Sequence, residues 1–417
     1  MHWSSGLFGL QRGVLRAILL AFSAVGLGLT LGCSGGDGSG NSASTPVPSP
    51  SGGSPASIEV RNLGTVTLGP NGSSTEFVVD IRGTSFMLIA DGGLASDIDI
   101  HSVVDPEGVT LVTPDRNDSD PIGRNNLKFA DAPVAVGLFP HTPAYGIRSG
   151  SYKFKVHNVS SETQTITVSA VMNNRVSPTG GTLNVNLVFC GIPDISAATA
   201  FGGQSLASQR FVTMFNEFKR IYERVNIQIA VSGVFDCPAA EGARLTFLSL
   251  DDANGNGHPD DVEDLAKLTS NYPANAVTYF LVQDANGFGG YSGGIPGPAL
   301  TSGTLASGVA VATFGPIGDL TPEMALIQGR TMAHEGGHYL GLFHTTERDA
   351  LLTDPISDTP ACHPARDTNH NGTVEAAECL DLDGTNLMFW GPLALGTQQD
   401  GLTEGQKFVL YRNPLIH

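Results

Sequence analysis

A chain of 417 residues has room for two or three domains, and an apolar content of 41% is ample for real cores. Acidic residues outnumber basic ones 40 to 22, and the net charge of −18 excludes a nucleic-acid surface built on basic patches. The carboxylate excess suits an exported protein with oxygen ligands to spare for calcium, or one simply kept soluble by charge.

Arg12 and Arg16 precede an apolar stretch, 17–32, that is too short for a comfortable membrane span and has the logic of an export signal. It ends at Gly32-Cys33, followed by SGGDGSGNSASTPVPSPSGGSP. A small residue before cysteine, then a Gly/Ser/Pro tether, resembles a bacterial lipoprotein signal, although Thr30 stands where that signal usually has Leu. The resemblance implies a signal peptide of lipoprotein type over 1–33, lipidation at Cys33 and a flexible tether over 34–56. An ordinary cleaved signal with free secretion is the alternative. No other segment is long and apolar enough to span a bilayer, so a membrane is met only through the lipid.

From 57 to 176 short alternating runs are broken by turns. SIEVRNLGTVTL, TEFVVDIRG, SFMLIAD, DIDIHSVV, VTLVTP, SYKFKVHNV and QTITVSAVM read as strands, and no helix interrupts them. An all-β sandwich is the expected outcome. It lacks cysteine and clustered histidine, which makes it an accessory rather than a chemical domain. GSYKFKVHNVSSETQTITVSA resembles the closing hairpin of sandwich domains that accompany secreted bacterial peptidases.

The composition changes near 177–182. LNVNLVFCG reads as a strand, SQRFVTMFNEFKRIYERVN as a helix with one apolar face, and VNIQIAVSGV as the next strand. Strand–helix–strand begins an α/β domain that fills 177–417. AVTYFLV and ASGVAVATF add strands, separated by a long Gly-rich loop.

DLTPEMALIQGRTMAHEGGHYLG predicts a helix with Thr321 as N-cap, Pro322 in the first turn and Glu323 at the positive dipole end. His334 and His338 are one turn apart, so both imidazoles can reach one ion. Gly341 breaks the helix and lets His344 return as a third ligand, leaving a fourth position for water. Glu335, beside the first ligand, is placed to take a proton from the zinc-bound water and pass it to the leaving amine. Gly336-Gly337 in mid-helix costs about 1 kcal/mol per glycine, so tertiary contacts must hold this helix.

HEGGHYLGLFH resembles the metzincin zinc signature, and is most similar to that of the pappalysin family of metallopeptidases. HTTERDALLTDPISDTPAC resembles the family's stretch after the third histidine, GTNLMFW its methionine turn, and LTEGQKFVLYRNPL its C-terminal helix. The resemblance spans 181–417. It implies a mixed-sheet (α+β) catalytic domain with an active-site helix, zinc on His334, His338 and His344, and Met388 as an apolar floor rather than a ligand. It also implies an edge strand above the helix that takes extended substrate, for which SGVAVATF is the candidate. Trp390 stands two residues past Met388, so no tyrosine is assigned to the site. With no cysteine in 57–176, that region offers no thiolate to cap the zinc.

Two stretches match D-x-[DN]-x-[DN]-G-x5-E, whose alternate oxygens can ring a calcium ion. The first has Asp252, Asn254, Asn256, His258 by its carbonyl, and Glu263; the second has Asp367, Asn369, Asn371, Thr373 by its carbonyl, and Glu378. Pro259 weakens the first, at a position normally apolar. Setting Cys33 aside, four cysteines in an exported protein suggest two disulfides with three possible connectivities. Cys190–Cys237 and Cys362–Cys379 are favoured because each pair lies within one local segment.

The expectation is an exported, monomeric zinc endopeptidase acting on proteins or peptides, with one or two structural calcium ions, lipid-anchored to the cell envelope or secreted. The rivals are a non-catalytic, calcium-stabilised adhesion lipoprotein, which has no need of Glu335, and a zinc hydrolase for small or non-peptide substrates.

Overall fold

The computed structural model describes residues 57–93, 98–113, 133–249, 251–253, 259–392 and 397–417. The signal, the tether and Cys33 lie outside the described residues. Ala56–His417 forms one compact unit.

Its first half is two four-stranded antiparallel sheets. One has the order β1 (Ile58–Leu68), β8 (Gln164–Asn173), β3 (Ser85–Asp91), β6 (Val134–Phe139); the other runs β2 (Phe77–Ile81), β7 (Gly150–Asn158), β4 (Ile98–Val104), β5 (Thr110–Val112). β7 alternates as a strand with one wet face should: Tyr152, Phe154 and Val156 are buried and their neighbours are not. These side chains meet Phe86, Leu88, Phe139 and Val168 of the first sheet in one apolar cluster.

β3 and β6 do not alternate. SFMLIA of β3 and VAVGLF of β6 are buried residue after residue. Phe86 and Leu88 face the second sheet, while Met87 and Ile89, with Val134, Val136 and Leu138, join the core of the chain's second half. β6 leaves no period-two signature in the sequence because it is buried on both faces. Polar contacts follow the same seam: Ser85 Oγ donates to Arg412 O at 2.6 Å and Thr142 Oγ1 to Pro355 O at 2.9 Å.

The second half is built on a five-stranded sheet of order β10 (Ile227–Asp236), β9 (Gly181–Phe189), β11 (Val277–Val282), β13 (Val309–Ala312), β12 (Gly290–Ser292). The first four are parallel and β12 is antiparallel. This corrects the edge assignment: 309–312 is interior, and the edge is the three-residue β12 inside the stretch read as a Gly-rich loop. Helix α1 (Leu206–Glu223) is capped by Ser205 and buries Phe211, Met214, Phe215, Phe218 and Tyr222. Two short helices, α2 (Ala239–Arg244) and α3 (Asp260–Leu268), follow. Helix α4 (Pro322–Tyr339) starts at Thr321, whose Oγ1 accepts from Met324 N at 3.2 Å, with Pro322 in the first turn. It packs against α1. Helix α5 (Glu404–Arg412) closes the chain.

Candidate active site

His334 and His338 project from the last turns of α4. Gly341 then takes φ of +108°, open to glycine at little cost, and the chain reverses. His344 returns so that its Nε2 lies 3.2 Å from His334 Nε2 and 3.1 Å from His338 Nε2. The outer nitrogens fix the tautomers. His334 Nδ1 donates to Leu387 O and His338 Nδ1 to Leu342 O, each at 2.7 Å. A carbonyl can only accept, so both Nδ1 atoms carry the proton and both Nε2 atoms present lone pairs. Nδ1 of His344 is 3.1 Å from both oxygens of Glu347.

Lone pairs brought this close repel unless a cation sits among them. A tetrahedral zinc with bonds of about 2.0–2.1 Å sets neighbouring ligand nitrogens about 3.3 Å apart, close to the two separations from His344 Nε2, and all three ligand atoms lie within 4.8 Å of one another. Burial and the neighbouring rings push His334 down to about 3 and His338 well below the ordinary histidine range. Both are therefore neutral at neutral pH, the form a metal requires.

Glu335 is 8% exposed, and burial pushes its carboxyl up to about 8. It lies under β12, against Gly290: a Cβ there would stand 2.5 Å from Glu335 Cγ. The two glycines after Glu335 have separate reasons. A Cβ on Gly336 would overlap Tyr279 Oη and come within 3.0 Å of Tyr222 Oη. A Cβ on Gly337 would lie 2.6 Å from Met388 Sδ. The helix gives up side chains where a strand, a neighbouring helix and a turn press against it.

Met388 is fully buried, with its Sδ against Gly337, between His334 and His338 in the chain. Its N–H donates to Asn386 Oδ1 at 2.8 Å, and Asn386 exchanges side-chain hydrogen bonds with Gln406 of α5 at 2.9 and 3.2 Å. Thr345 N donates to Met388 O at 2.9 Å, tying the turn to the residue after His344. Arg330, one turn before His334, is held by Glu217 of α1 at 3.2 Å.

The structure brings Cys190 to Cys237 and Cys362 to Cys379 as bonded pairs, with Cα separations of 4.9 and 5.8 Å. In the 367–378 stretch, Asp367 accepts from Asn371 N at 3.1 Å and Gly372 N at 2.9 Å, and Gly372 has φ of +80°. Asn369 Oδ1 also accepts from Asn371 N, while Asn371 Oδ1 accepts from Thr373 N at 2.8 Å. Glu378 caps the stretch, accepting from Thr368 N at 2.7 Å and Glu375 N at 3.0 Å. Asn254, Asn256 and His258 lie outside the described residues. Of that first stretch, Asp252 is exposed and Glu263 is buried on α3, 3.5 Å from Lys267 Nζ.

Three contacts escape the sequence reading. Gly290 and the Tyr222–Tyr279 pair come from distant elements and leave no local mark. Glu347 does: a carboxylate three residues past His344, within the same turn, is in reach of that ring.

No protein-family model matches the chain, and no curated protein does. Among solved structures, mature mirolysin of Tannerella forsythia, in complex with a cleaved peptide, is similar over 58% of this chain and 97% of that one, at 17% identity and a TM-score of 0.35. Likeness of that degree leaves the site's own geometry to carry the functional reading.

Proposed function

We propose that the chain is an exported zinc endopeptidase of metzincin type, pappalysin-like, that hydrolyses peptide bonds in proteins or peptides. The observation that carries this is the convergence of three imidazoles, with His344 Nε2 3.2 Å from His334 Nε2 and 3.1 Å from His338 Nε2 and all three ligand atoms within 4.8 Å, beside the buried Glu335. Zinc held there would supply a Lewis acid for the scissile carbonyl and bring a water's pKa to about 7. Glu335 takes the proton from the attacking water and hands it to the leaving amine nitrogen as the C–N bond breaks.

The edge strand offers a template for extended substrate. Ala312 N donates to Gly289 O, and Gly293 N to Gly308 O, each at 2.9 Å. Bonding alternates along an antiparallel pair, so Gly290 and Ser292 turn their peptide groups toward the open side. An incoming strand pairs there antiparallel, which sets its carbonyl over the site. Residues 367–378 are read as a calcium loop that stiffens the segment between His344 and Met388, and 252–263 as a second. Export with a lipid anchor at Cys33, or free secretion, completes the reading.

The test is cleavage of a mixed peptide library by the purified protein and by Glu335→Ala, with and without zinc chelation. Zinc-dependent cleavage that the variant has lost supports the proposal. A zinc-loaded parent that cuts nothing sinks it and leaves the adhesion reading. Cleavage confined to very short or non-peptide substrates favours the small-substrate hydrolase.

A further inference from the structure

We infer that Glu347 is the positioning residue for the third zinc ligand: its carboxylate fixes the His344 ring and makes it a stronger donor. The inference rests on the zinc reading of the three histidines.

The three rings are not held alike. His334 and His338 stand on a helix and give their outer N–H to main-chain carbonyls. His344 lies beyond the helix, after the Gly341 reversal, on backbone with no regular structure. It is held from behind by a side chain, with both Glu347 oxygens 3.1 Å from Nδ1. Because Glu347 meets the ring at Nδ1, it sits on the side away from the point where the three Nε2 atoms meet, so it is not itself a ligand. A carboxylate in that place fixes the proton on Nδ1, sets the ring plane and raises electron density at Nε2 more than a neutral carbonyl does.

The carboxylate is delivered by a braced turn. Thr346 bridges Thr353, Glu347 N donates to Leu352 O at 2.9 Å and Ala350 N to Glu347 O at 2.8 Å. Behind it, Cys362 N donates to Thr346 Oγ1 at 2.9 Å, Thr346 Oγ1 donates to Asp383, and Val374 N donates to Arg348 O at 2.9 Å.

The experiment uses the purified protein with Glu347→Ala, Glu347→Gln and His344→Ala. Zinc affinity is read by competition with a chromophoric chelator, and ligand geometry by the visible spectrum of the cobalt form. The alanine variant is expected to bind zinc about 100-fold more weakly and the glutamine variant, which keeps an acceptor, about 10-fold more weakly. Both shift the cobalt bands, and neither changes KM. Affinity within twofold of the parent in either variant overturns the proposal, and the glutamine variant decides alone where the alanine variant does not fold. His344→Ala separates the two readings: a parent that holds no zinc, or an H344A protein that holds it as tightly, removes the metal site itself.

Discussion

The Cβ that Gly290 lacks would stand 2.5 Å from Cγ of Glu335 and 2.9 Å from its Oε1. The edge strand and the buried Glu335 carboxyl are therefore in contact, and the strand leaves out a side chain to make room. Gly290→Ala must displace Glu335 or lift β12. Kcat is expected to fall about 100-fold, the scale of an ångström-size misplacement, with zinc content unchanged. Steady-state kinetics alongside metal analysis checks this; an alanine variant with parental kcat would mean the carboxylate works from elsewhere.

Gly336 shows packing overruling propensity. Alanine there gains about 1 kcal/mol of helix propensity but meets two tyrosine hydroxyls, and overpacking costs about 1–3 kcal/mol. Tyr279 Oη has no hydrogen-bond partner among the described residues, so it contributes bulk without a bond. Gly336→Ala should lower the unfolding midpoint in urea, and Gly336→Ala with Tyr279→Phe should recover most of the loss. Additive effects in the pair would refute this account of the glycine.

The bracing of α4 depends on pH. Burial raises the Glu217 carboxyl, but hydrogen bonds from Arg220 and Arg330 outweigh it and the net shift is downward; Asp400 is lowered in the same way by Arg220 and Arg224. A carboxylate with a depressed folded pKa adds stability that is present above the unfolded value, about 4, and lost as pH falls through the folded one. Urea stability should therefore drop on acidification below about pH 5. Glu217→Gln should flatten that slope, and Arg330→Ala should cost about 2 kcal/mol at pH 7. An unchanged slope in the Gln variant would assign acid sensitivity to other carboxylates.

The calcium proposed for the 367–378 loop would have a mechanical consequence. Val374 is 1% exposed, and its N–H binds Arg348 O, next to Glu347. Selective calcium removal, with zinc content verified, should lower activity or speed proteolysis within 345–390. Thermal midpoints and digestion patterns that ignore millimolar calcium would withdraw calcium from this loop.

Local chemistry was legible in the sequence. Thr321 and Pro322 mark where α4 starts, the i,i+4 histidines share a face, and Gly341 announces the reversal that brings back His344. Long-range contact was not. The cost of Gly336-Gly337 is visible in the chain, but its cause sits on α1, on β11 and beside Met388. β12 is three residues long with glycine at its start, too short for any periodicity. β6 hides for the opposite reason, being apolar throughout.

The sheet carrying Met87, Ile89, Val136 and Leu138 has no dry side to spare. Each of those side chains contributes on the order of 2 kcal/mol through its burial against the second half. Cutting away everything before residue 177 would strip that cover and expose the apolar side chains of the second half that pack against it. The first half is thus part of the second half's core and cannot be discarded as a separable wrapper.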